Sequence, residues 1–252
     1  MSKNKIALIT GGSRGLGRDM AINLAKKGID IMFTYHSNLS AANDVIAEIE
    51  GLNQKAKAFK LDTSNIQQFE DFFRAVSSYL KSEFGTERFD FLINNAGTGI
   101  YKPFSETTEK DFDEMVNIHF KGVYFLTQKA VSLLNDGGRI INISSGLARF
   151  SLPGSSAYAS AKGAVEVFTR YMAKELSTRK ITANTVAPGA IGTDFGDGEN
   201  KTERKIKAVT NFTALGRVGE AEDIGGVVVF LCSPEAGWIN GQRIEVSGGI
   251  FL

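Results

Sequence analysis

Several things are scarce in this chain of 252 residues, and each scarcity excludes something. A single cysteine, Cys232, rules out an intramolecular disulfide and suits a reducing compartment such as the cytoplasm. Two histidines, His36 and His119, leave almost no material for a zinc or iron site, so no metal is expected. Neither sign of charge is in excess: 29 Lys plus Arg against 28 Asp plus Glu gives +1. That balance offers no general attraction for nucleic acid or an anionic membrane. No apolar run reaches 18 residues, and Met1 to Lys5 is too short and polar to begin a signal peptide. Prolines number only four, and no Pro- or Ser-rich linker divides the sequence. One domain over 1–252 is the economical reading.

Glycine is what the chain has in plenty, 27 residues where about 7% is usual. Around these glycines, short apolar runs alternate with longer amphipathic segments. The runs Ile6–Thr10, Ile29–Tyr35, Ala56–Leu61, Phe89–Asn94, Arg139–Ser144, Thr182–Ala187 and Arg243–Val246 read as strands. Helices are expected near 15–27, 40–50, 65–83, 109–134, 155–177 and 220–232. This alternation predicts an α/β fold: a Rossmann-type, doubly wound parallel sheet with helices on both faces. In the helix over 109–134, apolar side chains spread around most of the circumference. One side can face the sheet and another a second copy of the chain, so a homo-oligomer is expected; cover by a loop of the same chain is the alternative.

The first strand runs into Thr10-Gly11-Gly12-Ser13-Arg14-Gly15-Leu16-Gly17 and then a helix. Glycines there permit a sharp turn and let a pyrophosphate approach the backbone, and the helix N-terminus adds unsatisfied N–H groups. Its place between strand and helix favours a dinucleotide site over a turn that only packs. No Gly-Lys-Ser/Thr follows, which excludes a Walker loop. After the second strand an acidic residue would select NAD, but the sequence reads Tyr35-His36-Ser37-Asn38. Arg14, His36, Ser37 and Asn38 are donors for a 2′-phosphate instead, so NADP(H) is the expected cofactor.

Tyr158 and Lys162 stand four apart and share a helix face. A phenol with a reference pKa of about 10 is a poor acid near neutrality, and a neighbouring ammonium would lower it. Ser145, after the strand Arg139–Ser144, can offer its hydroxyl to the same substrate oxygen. Taken in order, the loop Thr10–Gly17, Asn94-Asn95-Ala96-Gly97, Ser145, Tyr158-x-x-x-Lys162 and Pro188-Gly189 resemble the short-chain dehydrogenase/reductase family. The likeness extends over essentially the whole chain, to Ser247-Gly248-Gly249.

The resemblance implies that Tyr158 donates a proton to a carbonyl oxygen and that Ser145 hydrogen-bonds it. Lys162 would bind the nicotinamide ribose and lower the Tyr158 pKa. Asp62 and Thr63 would border adenine, and Asn94, Asn95, Ala96 and Gly97 would support the central sheet and border the cofactor. Pro188, Gly189, Ile191 and Thr193 would hold the carboxamide. A tetramer acting on a small carbonyl or alcohol substrate is also implied, either a free ketone or a 3-oxoacyl thioester. There is one departure: three residues before Gly122 the family usually has asparagine, and here stands His119. It could keep the local helix distortion, pack inertly, or add a step that titrates near its reference pKa of about 6.5. Leu147, Phe150, Leu152 and Phe195 are candidates for an apolar pocket wall. The segment 190–212, with Asp197, Glu199, Lys201, Glu203, Arg204, Lys205 and Lys207, has the composition of a substrate lid or of a surface helix with a mobile lead-in. Two other functions stay open on sequence: an inactive cofactor-binding sensor, and an epimerase or dehydratase, for which little chain remains.

Overall fold

The computed structural model describes residues 4–252, apart from the side chains of Asp197 and Glu199. Its centre is one seven-stranded sheet in which every pairing is parallel. The strands are β1 (Ile6–Ile9), β2 (Asp30–Tyr35), β3 (Ala56–Lys60), β4 (Phe89–Asn94), β5 (Leu134–Ile143), β6 (Thr182–Pro188) and β7 (Arg243–Val246), in the order β3-β2-β1-β4-β5-β6-β7. The helices are α1 (Gly15–Ala25), α2 (Leu39–Gly51), α3 (Phe69–Phe84), α4 (Glu109–Val116), α5 (Gly122–Ala130), α6 (Ser156–Glu175), α7 (Glu203–Phe212) and α8 (Glu222–Cys232).

Period-2 alternation divides the core into two layers, as a doubly wound sheet requires. In β1, Ala7 and Ile9 face a cluster with Met20, Leu24, Val45 and Val228 of α1, α2 and α8. Ile6 and Leu8 face the opposite layer, with Phe72, Val76, Leu126 and Met172 of α3, α5 and α6. Local signals agree with these packing demands. Thr108 and Asp111 form a reciprocal capping box on α4, and Gly85 closes α3 in the left-handed region at φ 60°.

The expected strands and helices are all present, with three differences. The helix foreseen over 109–134 is two helices joined by a π-turn, Asn117–Lys121. Its last residue, Leu134, already belongs to β5, which pairs Leu134 with Phe89 before a register shift. Within 190–212, residues 203–212 are helical, with the Thr202 hydroxyl accepting from Lys205 N as its N-cap.

The switch of strand order falls between β1 and β4, where the connections depart in opposite directions and leave a crevice at the strand ends. A buried polar ladder ties this region together. Asn94 Nδ2 donates to Thr127 Oγ1 at 2.9 Å and Asn142 Oδ1 at 2.8 Å, and Asn142 Nδ2 donates to Thr169 Oγ1 at 2.8 Å. Every partner is satisfied, so the ladder fixes β4 and β5 against α5 and α6 without an orphaned polar atom.

Candidate active site

A cleft of about 930 Å³ opens along the strand ends, from the glycine loop to the loop after β5. Its first wall is backbone. Gly17 packs so close to the loop that a Cβ there would lie 2.0 Å from Gly11 O. The loop is stitched to β4 by Asn95, whose Nδ2 donates to Thr10 O at 2.9 Å and Gly11 O at 3.1 Å. In return Thr10 Oγ1 accepts from the amides of Asn95 and Ala96. At the start of α1, Arg14 is extended, offers no side-chain cap, and the first turn holds no acid. Those first-turn N–H groups and the positive end of the helix face the cleft, an arrangement suited to an anion.

Gly11, Ser13, Arg14, Gly15, Leu16, Gly17, His36, Ser37, Asn38, Asp62, Thr63, Ala96, Gly97, Pro188, Gly189, Ile191 and Thr193 all line the cleft, as do Ser145, Tyr158, Lys162 and His119. Arg14, His36, Ser37 and Asn38 are exposed at its rim. Asn38 has a second task, because its Oδ1 accepts from Ala41 N as the cap of α2, while its NH2 group is the donor it can turn to an anionic ligand. The donors and the uncapped helix end fit a phosphorylated dinucleotide. Asn94 is the correction: it does not line the cleft, since its amide is consumed in the buried ladder, and Asn95 stands at the cleft instead. The doublet Asn94-Asn95 made the region visible in sequence. Strand alternation could have assigned the two faces, because Asn94 ends β4 and its neighbour leaves it.

The second wall is side chain. Tyr158 and Lys162 rise from the first turns of α6 and are 7% and 5% exposed. Lys162 Nζ donates to Ile143 O at 2.7 Å and lies 5.7 Å from the Tyr158 ring centre. Burial disfavours its ammonium and pushes its pKa down to about 7. Burial also pushes the Tyr158 phenol up, the nearby Tyr101 phenol adds to this, and a hydrogen bond with Ser145 acts the other way. In the protein alone, burial favours the neutral form of both groups, and Lys162 spends one of its three donors on Ile143 O.

His119 is fully buried on the π-turn, with its ring edge-on to Tyr158 at 4.9 Å. Its Nε2 lies 2.7 Å from Thr98 O, so Nε2–H is the donor and Nδ1 the bare acceptor of a neutral ring. Burial, then the charge of Lys162, hold its pKa well below the usual histidine range. The structure thus favours a neutral, packed histidine over one that titrates near 6.5. The helix distortion is kept: Gly122 N reaches back five residues to Asn117 O. Glycine is required there, since a Cβ on Gly122 would lie 2.1 Å from Thr63 O.

Leu147, Phe150, Leu152 and Phe195 form the outer wall as expected. Phe195 stands 5.8 Å from Tyr158 by ring centres. Tyr101, Ile118, Val209 and Ile250 join them without having been foreseen. Tyr101 sits in a Gly-rich stretch between Gly99 and Lys102 that carries no helical or strand period, so sequence gave no signal for it. Among the described residues no cluster of three His, Cys, Asp or Glu could hold a metal, and no helix is long and apolar enough to cross a membrane.

Comparison with known proteins adds to this geometry. Residues 11–250 match the family described as enoyl-(acyl carrier protein) reductase. The hydroxynaphthalene reductase-like protein Arp2 of Metarhizium brunneum is 37% identical over 257 aligned residues, covering 97% of this chain and 94% of that protein. Among solved structures, the reductase LugOII, which catalyses keto-reduction at C1 during lugdunomycin biosynthesis, superposes with a TM-score of 0.94 at 37% identity over 100% of both chains. The angucycline C-6 ketoreductase LanV, solved with bound NADP, gives 0.93 at 35% identity over 98% of this chain and 95% of that one.

Proposed function

The chain belongs to the short-chain dehydrogenase/reductase family, and from that premise we propose that it is an NADP(H)-dependent reductase converting a ring ketone to a secondary alcohol. The observation that carries this reading is the convergence of Ser145, Tyr158 and Lys162 at the inner end of a cleft whose other end is an uncapped helix N-terminus. The first-turn amides of α1 and the glycine loop would hold the pyrophosphate, and Arg14, His36 and Ser37 the 2′-phosphate. Asp62 and Thr63 would border adenine, and Pro188 to Thr193 the carboxamide. The nicotinamide supplies the hydride when the dinucleotide is bound.

The protein's own part is the proton and the oxygen. Ser145 donates a hydrogen bond to the carbonyl oxygen, where negative charge develops, and Tyr158 delivers its proton to the same atom. Reduction starts from protonated Tyr158, the form that burial favours, and the Lys162 ammonium beside it would stabilise the phenolate left once the proton is given up. Lys162, anchored on Ile143 O, would orient the nicotinamide ribose. The wall of Tyr101, Phe150, Phe195 and Leu147 suits a flat apolar ring better than a flexible acyl thioester. The hydroxynaphthalene and angucycline reductases among the relatives support a ring ketone.

The test is NADPH absorbance at fixed enzyme over a panel of bicyclic ketones and 3-oxoacyl thioesters, repeated with NADH. Turnover of ring ketones with NADPH and far less with NADH is expected. No turnover of any carbonyl, or equal efficiency with both cofactors, contradicts the reading. We further assign segment 190–212, which contributes Ile191, Thr193, Phe195, Asn200 and Val209 to the cleft, as a substrate lid. Its protease sensitivity should fall on saturation with NADPH. Exposed Tyr124, Val167 and Tyr171 on α5 and α6, with Phe230 and Trp238 elsewhere, fit a homotetramer. A monomeric sedimentation profile at micromolar concentration would contradict that assembly. A cytoplasmic location suits the one buried thiol, Cys232.

A further inference from the structure

Toward the β7 edge of the sheet, a run of charged groups lies behind the reacting side chains. Glu166 is one turn past Lys162 on α6. Its Oε1 accepts from Ser144 Oγ at 2.7 Å and from Arg243 Nε at 2.7 Å. Arg243 opens β7 and points its other N–H groups at Glu245 Oε2, 3.0 Å away, and at the main-chain carbonyl of Ser145, 3.2 Å away. Glu245 Oε2 also accepts from Arg149 at 2.8 Å. Five side chains thus connect the helix of Tyr158 and Lys162, the edge strand, and the loop that carries Ser145 and the outer wall.

This is more than a surface pair. The side chains of Glu166, Arg243 and Glu245 are only 13%, 21% and 18% exposed, whereas Arg149 at 65% is the wet end. Partly shielded charges joined in a network hold geometry better than isolated exposed ones. A guanidinium can also serve three directions at once, which an ammonium on a flexible stem cannot. The contact that matters is the last. Ser145 O accepts from Ala148 N at 3.1 Å inside its own short turn, and Arg243 ties that turn to α6 through Glu166.

We propose that Arg243, held by Glu166, is a positioning residue that sets the main chain of Ser145 relative to α6, so that the Ser145 hydroxyl and the Tyr158 phenol meet one substrate oxygen. The inference rests on the reading of Ser145, Tyr158 and Lys162 as the reacting set. Misplacing a reacting group by a fraction of an ångström to 1 Å costs up to about 100-fold in rate.

The experiment compares Arg243→Gln, Arg243→Lys, Glu166→Ala and Glu166→Gln with wild type. The readouts are kcat, KM for NADPH, and hydrogen exchange of the 146–150 amides. Arg243→Gln, Arg243→Lys and Glu166→Ala should each lower kcat by about 10–100-fold while KM for NADPH moves less than about twofold. Exchange at Ala148, Arg149 and Phe150 should speed up in these three, with the glycine loop unchanged. Glu166→Gln keeps an oxygen for both Ser144 and Arg243, and should retain most of the rate. Should one variant fail to fold, the remaining Arg243 or Glu166 substitution still decides. Unchanged kcat and exchange overturn the proposal. So does a loss spread equally over kcat, NADPH binding and exchange everywhere, which marks a merely structural pair. A wild type silent on every ketone overturns the ketoreductase reading instead, and the exchange experiment still judges the positioning.

Discussion

The loops after β1 and β5 leave the same edge of the sheet two strands apart, yet they are built in opposite ways. The first is made of main chain: glycines 11, 12, 15 and 17, an uncapped helix end, and the Asn95 side-chain amide bonded to the carbonyls of Thr10 and Gly11. The second is made of side chains: Ser145, Tyr158 and Lys162, with Arg243 and Glu166 behind them. A backbone cradle tolerates no added Cβ and binds by shape and partial charge. A side-chain site depends on the protonation state and aim of a few groups. The difference teaches that binding and chemistry in this cleft should fail separately.

The largest effect outside Tyr158 is expected from Ser145→Ala. Losing a donor to the developing oxyanion lowers kcat by roughly 10²–10³-fold, with NADPH affinity kept. A variant that loses NADPH binding in proportion would dissolve the contrast between the loops. Next comes the cradle's rim. Arg14→Ala and His36→Ala remove charge-assisted or polar donors to the 2′-phosphate. Each should raise KM for NADPH by about 10–100-fold and leave NADH nearly untouched. Equal losses with both cofactors would place those side chains elsewhere.

A smaller effect is expected where the two regions meet. Gly122→Ala drives a Cβ into Thr63 O and should cost about 1–3 kcal/mol, seen as a melting temperature lower by roughly 2–10 °C. An unchanged melting temperature would mean that α5 is not wedged against the loop after β3. The smallest effect belongs to His119, which lies between Gly97 on the cradle side and Tyr158 on the other. Its folded pKa is depressed, so below about pH 6.5 the unfolded chain binds the proton first and stability is lost as the pH is lowered. The slope is at most about 1.4 kcal/mol per pH unit. His119→Asn should flatten the fall in denaturant midpoint between pH 7 and 5 and leave the pH–rate profile unchanged. Parallel midpoint curves would contradict a neutral buried ring.

These regions also differed in how well the sequence announced them. The cradle follows from glycine spacing between a strand and a helix, because backbone requirements act locally. Tyr158 and Lys162 follow from helical spacing, and short apolar runs bounded by turn residues marked all seven strands. What escaped is what depends on distant chain. Asn94 and Asn95 are adjacent letters, and only the ladder through Thr127 and Asn142 shows that Asn94 faces the sheet. The break at Asn117–Lys121 appears once Gly122 meets Thr63, nearly sixty residues earlier. Arg243 and Glu166 are 77 residues apart, and no local pattern pairs them. The burial that favours the neutral forms of Tyr158 and Lys162 is likewise a tertiary effect, which spacing alone does not measure.

The most direct test pairs two numbers for one substitution: kcat on a ring ketone and the dissociation constant for NADPH, in Tyr158→Phe against wild type. The fall expected in kcat is at least about 10²–10⁴-fold, the usual worth of a positioned proton donor, with NADPH binding held within about fivefold. Retained turnover, or a collapse of NADPH binding alongside it, would contradict the division of labour between main-chain cradle and side-chain chemistry.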